Sequence, residues 1–157
     1  MANVCENPYK TARKVAGFTQ ERAAALLNVS VDSLRDYEAD LRPVPNDIAF
    51  AMCSIYNANY LAIEHLRMSS IGRAALPRFK LCDLPVAVLG LLDAVQKFVD
   101  KNPEMIGITA DGVISSEEQG EWRQILVLVD NLQSALLTVK FASVGESGRK
   151  SHEERRL

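Results

Sequence analysis

Residues 18–38 constrain this chain more than any other stretch. They read Phe18-Thr19-Gln20-Glu21-Arg22-Ala23-Ala24-Ala25-Leu26-Leu27-Asn28-Val29-Ser30-Val31-Asp32-Ser33-Leu34-Arg35-Asp36-Tyr37-Glu38. Local chemistry predicts two short helices with a tight turn between them. Thr19 is a suitable N-cap for the first, although Arg22 stands where a capping box would have Glu or Gln. Asn28 can end that helix, because asparagine tolerates the left-handed conformation. Ser30 can cap the second helix, whose Leu34 and Tyr37 form an apolar stripe.

More helices surround the pair. Asn7-Pro8 reads as N-cap and first helical position of a helix ending near Gly17. After the Leu41–Pro45 loop, Asn46 can cap a helix with Ile48, Ala51, Met52 and Ile55 along one side. The turn Asn57-Ala58-Asn59 leads to a fifth helix, Tyr60 to Met68. Together, Arg13, Gly17-Phe18-Thr19-Gln20-Glu21, Ala24, Leu27, Val29-Ser30, Leu34, Tyr37-Glu38 and Arg42-Pro43 occur in an order and spacing that resembles the phage repressor and Cro-like (Xre-type) helix-turn-helix family. The resemblance covers roughly the first 68 residues and does not extend to residues 69–157.

That resemblance implies an all-α fold with a five-helix DNA-binding domain over residues 7–68, whose second short helix enters the major groove of duplex DNA. It places Val31, Asp32, Ser33 and Asp36 toward the bases, with Thr19, Gln20 and Ser30 at the helix starts and Arg35 and Arg42 toward phosphates. Gln20 suits the task, since an amide can hold a phosphate or read adenine. Asp32 and Asp36 depart from it, because the one good base partner of a carboxylate is the cytosine amino group. The resemblance also implies an ion pair between Arg13 and Glu38 that ties the first helix to the end of the recognition helix. At an exposed site such a pair contributes about 1 kcal/mol or less.

Overall charge is unhelpful to a nucleic-acid binder, and its uneven distribution allows only weak DNA binding by the first part. The 157-residue chain carries a net charge of −2. Residues 1–80 hold ten Lys/Arg against eight Asp/Glu, and residues 81–157 hold eight against twelve. The first part therefore depends on the placement of a few cations, with few phosphate contacts. Hydrophobic content of 48% supplies a core and argues against disorder throughout.

Ser69 to Leu84 changes character and reads as a linker, with Ser69-Ser70, Gly72 and Pro77. Residues 85–142 then form a helical hairpin. Val88, Leu91, Leu92, Val95, Phe98 and Val99 recur at helical spacing up to Lys101, and Asn102-Pro103 ends that helix. Met105 to Ser115 reads as a loop. A long last helix starts from Ser115 or Ser116, since Ser115…Glu118 and Ser116…Gln119 both have capping-box spacing, and runs to about Phe141. Along it Trp122, Ile125, Val129, Leu132, Leu136 and Val139 follow heptad spacing, while Leu126, Val127, Leu128 and Leu137 widen the stripe nearly all round. A helix that apolar needs cover on more than one side, from the first domain or from a second copy of the chain. A homodimer through these helices is the expectation. The leader Met1–Glu6 and the tail from residue 143 read as loose.

Other chemistries fit poorly. Taking Gly112 as the sixth position of a calcium loop puts Gly107 first and Thr109 third, where carboxylates are needed. Cys5, Cys53 and Cys82, with only His65 and His152, lack zinc-ligand spacing and read as reduced thiols of a cytoplasmic protein. No run of 18 apolar residues marks a membrane span, and no basic-then-apolar leader marks a signal peptide. No glycine-rich phosphate loop or nucleophile elbow appears, and Trp122 reads as core, so neither an enzyme nor a cofactor or small-molecule site is expected. Two readings remain: a DNA-binding transcriptional regulator of the phage or mobile-element type, and an interaction protein, adaptor or inhibitor, that keeps the scaffold. The acidic recognition helix favours the second, Gln20 and the order of the motif the first.

Overall fold

The computed structural model of the protein describes residues 7–143. Among these residues the chain is all-α: nine helices, with one isolated bridge between Asp83 and Ser143. The leader Met1–Glu6 with Cys5, and the tail with His152, Arg149, Lys150, Arg155 and Arg156, lie outside the described residues. The chain divides between Leu76 and Pro77 into two compact units.

The first unit begins with five helices: α1 (Pro8–Val15), α2 (Gln20–Leu27), α3 (Val31–Glu38), α4 (Asn46–Ile55) and α5 (Tyr60–Arg67). Their ends follow the local chemistry. The Asn7 side chain accepts from the Tyr9 and Lys10 backbone N–H groups, and Pro8 opens the first turn. Thr19 accepts from Arg22 N–H at 3.2 Å, and Ser30 from Ser33 N–H at 3.0 Å. Asn28 ends α2 in the left-handed conformation, at φ 54°, and Gly17 after α1 has φ 75°.

Asn46 does not cap α4. It is the first residue of the helix, after Pro45, and makes no cap bond. Its Oδ1 lies 2.7 Å from His65 Nε2, while His65 Nδ1 lies 2.6 Å from the Tyr9 hydroxyl. This chain of side chains ties α1, α5 and α4 above a core in which Tyr9, Leu34, Met52 and Leu61 are fully buried. Burial holds His65 below the ordinary histidine pKa of 6.5. The unfolded chain therefore binds the proton first as pH falls. The stability that His65 contributes is present above pH 6.5 and is lost as pH falls through the folded pKa. We expect a lower Tm at pH 5 than at pH 7.5, with a smaller drop in His65→Gln, measured by circular dichroism.

The stretch read as a linker is partly helical. Ser69 accepts from Gly72 N–H at 2.9 Å and caps α6 (Ser70–Ala75). Gly72 is needed there, because a Cβ would stand 1.8 Å from the Leu66 carbonyl oxygen. Ser69 and Gly72, which suggested a linker, are thus a cap and a close backbone contact.

The second unit contains α7 (Leu84–Val99), α8 (Asn102–Thr109) and α9 (Gln119–Lys140). Asn102-Pro103, read only as a helix end, also starts α8, which runs to Thr109 through part of the stretch read as a loop, since proline in a first turn opens a helix as readily as it closes one. Ser115 and Glu118 form a reciprocal capping box just before α9, at 2.9 and 3.3 Å. α7 and α9 pack antiparallel: Lys80 N–H lies 3.4 Å from Thr138 Oγ1, and Leu84 N–H donates to the Ser143 carbonyl at 3.1 Å. Residues 78–82 form an extended strap beside α9, and between strap, α7 and α9 runs a groove of about 550 Å³. Fully buried apolar residues are scarce in this unit; among those described they are Ala87, Ile108 and Ile125.

Candidate nucleic-acid interface

The attitude of α3 is set from within the first unit. Arg13 on α1 reaches Glu38 with two hydrogen bonds, Nε to Oε1 at 2.5 Å and Nη2 to Oε2 at 2.9 Å. Its Nη1 donates to the Phe18 carbonyl at 2.6 Å. The pair is buried, with Arg13 and Glu38 side chains 9% and 3% exposed, so it differs in kind from the surface ion pair whose contribution is small. Hydrogen bonding to Glu38 holds the Arg13 pKa above its ordinary value, outweighing burial. Beside the pair the Tyr56 hydroxyl is buried with no hydrogen-bond partner among the described residues, and burial pushes its pKa up to about 12.

Gln20, at the first position of α2, donates from Nε2 to Glu38 Oε2 at 2.9 Å. Glu38 therefore joins α1, α2 and α3 through one carboxylate. A primary amide has a second N–H and an acceptor oxygen, so Gln20 is oriented by the scaffold while keeping capacity for another partner.

Leu34, Tyr37 and Glu38 turn inward and are buried. Asp32 and Arg35 are exposed on the other side of α3, and Val31, Ser33 and Asp36 are half-buried along it. Ser30 Oγ and Ser33 Oγ lie 2.9 Å apart at the N-terminus of the helix. Arg35 pairs with Asp32 at 2.7 Å, an exposed i,i+3 contact. One of the acidic residues that looked adverse to DNA is thus matched by a neighbouring cation, an arrangement legible from the three-residue spacing. Arg42 lies further along the chain, where it donates to the Tyr37 hydroxyl at 2.7 Å and stacks over its ring, 4.9 Å from the centroid. Thr19, used as a cap, is exposed at the start of α2. Glu21 nearby has its pKa lowered, chiefly by backbone hydrogen bonding and then by Thr19.

The site residues on α3 and its cap share one element, and Gln20 joins them through Glu38. Arg42 is held by Tyr37, a contact with no direct signal in the residue pattern. Among the described residues no group of three His, Cys, Asp or Glu is gathered to hold a metal ion, and no helix is long and apolar enough to cross a membrane. Cys53 and Cys82 are free thiols.

Over 50 residues, or 32% of its length, the chain is 38% identical to a curated relative, the HTH-type transcriptional regulator ImmR of Bacillus subtilis (strain 168). That match spans 39% of the relative. No protein-family profile matches the chain, and no solved structure does.

Proposed function

We propose that this protein is a sequence-specific DNA-binding transcriptional regulator of the phage or mobile-element type, acting as a homodimer through its C-terminal helices. The observation that carries the reading is the buried Arg13–Glu38–Gln20 network, which fixes α2 against α3 and leaves one side of α3 outward. The named function of the partly matching relative supports it. In this reading Val31, Asp32, Ser33 and Asp36 meet base edges. Thr19, Gln20, Ser30, Arg35 and Arg42 approach the phosphate backbone, and Asp36 favours a cytosine-bearing position. One short recognition helix reads few bases, so two copies on half-sites about one helical turn apart supply the specificity.

The test is selection from a random duplex pool at low salt. A roughly palindromic sequence should be enriched, and Ser33→Glu should weaken its binding tenfold or more. That substitution puts a carboxylate against DNA while completing a capping box with Ser30, so a loss of binding cannot be assigned to a weakened helix. If no sequence is selected, the reading falls. The second reading, an adaptor or inhibitor that binds a protein through the same face, then takes its place; the acidic Asp32 and Asp36 on that face are what favour it.

A further inference from the structure

The heptad stripe of α9 is two stripes in space. On α9 Ile125 is buried, and Leu128, Leu132, Ala135 and Val139, partly buried, lie along the same side of the helix. On α7 the corresponding residues are Leu84, Ala87, Leu91, Ala94 and Phe98. Both sets step by three and four, the spacing by which paired helices interlock. Each helix then carries a second apolar set. On α7 it is Val88, Leu92, Val95 and Val99, exposed by 37%, 60%, 40% and 46%. On α9 it is Trp122, Leu126, Val129 and Leu136, of which Leu126 and Leu136 are 46% and 52% exposed and Trp122 and Val129 are partly buried.

At 100° per residue the second set follows the first by about 90° on each helix, in the same rotational sense. Because the helices are antiparallel, equal senses put both second sets on the same side of the two-helix layer. The groove under the strap is on the opposite side, lined by Gly90, Lys97, Asn131 and Thr138. The hairpin therefore has one broad apolar face, about three turns long on α7 and about four on α9.

The geometry points to a second copy of this chain as the occupant of that face, the two hairpins stacking into a four-helix bundle. Helices in such bundles need two apolar stripes roughly at right angles, one for each neighbour, and each helix here has used one and left one. No charged residue stands among the eight, and the one charged residue that continues their side of α9 is Lys140, at the end of the helix. The exposed fractions amount to roughly 500 Å² of apolar surface per chain. Two copies then cover about 1,000 Å² before any polar rim, close to the 1,200–2,000 Å² of a stable interface. This assignment rests on the dimeric reading above and names the face that makes the dimer.

The test is multi-angle light scattering and sedimentation equilibrium on the full chain without DNA. A dimer at micromolar concentration is expected. Leu92→Lys and Leu136→Lys should each raise the dimer dissociation constant a hundredfold or more, whereas Val127→Lys, an apolar residue 56% exposed outside the two stripes of α9, should change it less than threefold. Helicity by circular dichroism reports whether each variant folds. If a lysine variant does not, Leu92→Ala and Leu136→Ala serve instead, with an expected rise of roughly tenfold each. A monomeric parent chain, or a dimer indifferent to positions 92 and 136, overturns the assignment. A dimer that selects no DNA leaves the face standing and removes only the DNA reading.

Discussion

Replacing Glu38 with alanine should destabilise the first unit by about 3–5 kcal/mol, the usual cost of stranding one member of a buried ion pair. The carboxylate accepts two hydrogen bonds from Arg13 and one from Gln20, and its side chain is only 3% exposed. Its removal leaves a buried guanidinium with the Phe18 carbonyl as its remaining close partner among these contacts. Against a typical domain stability of about 5–15 kcal/mol, this loss accounts for much of the total. Urea unfolding of the variant measures it. Glu38→Gln should lose less, because an amide keeps part of the hydrogen bonding. A paired Arg13→Met and Glu38→Leu replacement should recover much of the stability, since an apolar pair of similar volume avoids the desolvation of two charges. A loss under 1 kcal/mol for Glu38→Ala would mean that the pair is solvated, contrary to its burial.

The second large effect concerns salt. The operator affinity should fall with a log–log slope of roughly −2 to −4 per protomer, which is a roughly 15- to 250-fold loss per protomer between 50 and 200 mM salt. The cations of the motif region are Lys10, Arg13, Lys14, Arg22, Arg35 and Arg42. Arg13 is committed to Glu38, Arg35 is paired with Asp32, and Arg42 is stacked on Tyr37, which favours the shallow end of the range. Asp32→Asn releases Arg35. We expect it to steepen the slope by about one unit and to raise affinity for unrelated DNA, so that Asp32 acts as a brake on indiscriminate binding. Binding titrations across salt concentrations check both. A slope near −8 would move the DNA surface elsewhere, with the basic tail residues Arg149, Lys150, Arg155 and Arg156 as the first place to look.

The parts of this architecture that were readable from sequence are those governed by single residues acting locally. Thr19, Asn28, Ser30 and Asn7 each set a helix end by their own chemistry, and each does so in the structure. Local chemistry misled where a tertiary partner took the side chain. Asn46 was a plausible cap until His65 claimed it, and Ser69-Ser70 with Gly72 read as a linker although Ser69 caps a helix and Gly72 is pressed against Leu66. The heptad on α9 was legible as a period but not as two faces, because periodicity gives spacing and burial alone separates one side from the other. Of the candidate site, the pairing of Arg13 with Glu38 was anticipated through resemblance, but its burial and the arrival of Gln20 on the same carboxylate depend on how α1 meets α2 and α3.

The division of labour within α3 bears on how such a protein changes over generations. Leu34, Tyr37 and Glu38 belong to the interior, and a substitution at any of them endangers the fold. Asp32 is exposed, and Val31, Ser33 and Asp36 are only partly covered, so substitutions there alter the outward surface at little structural cost. One helix thus separates the residues that selection must hold from those it can vary. A lineage can exchange the outward set one residue at a time and pass between preferences for different partners without crossing an unfolded intermediate.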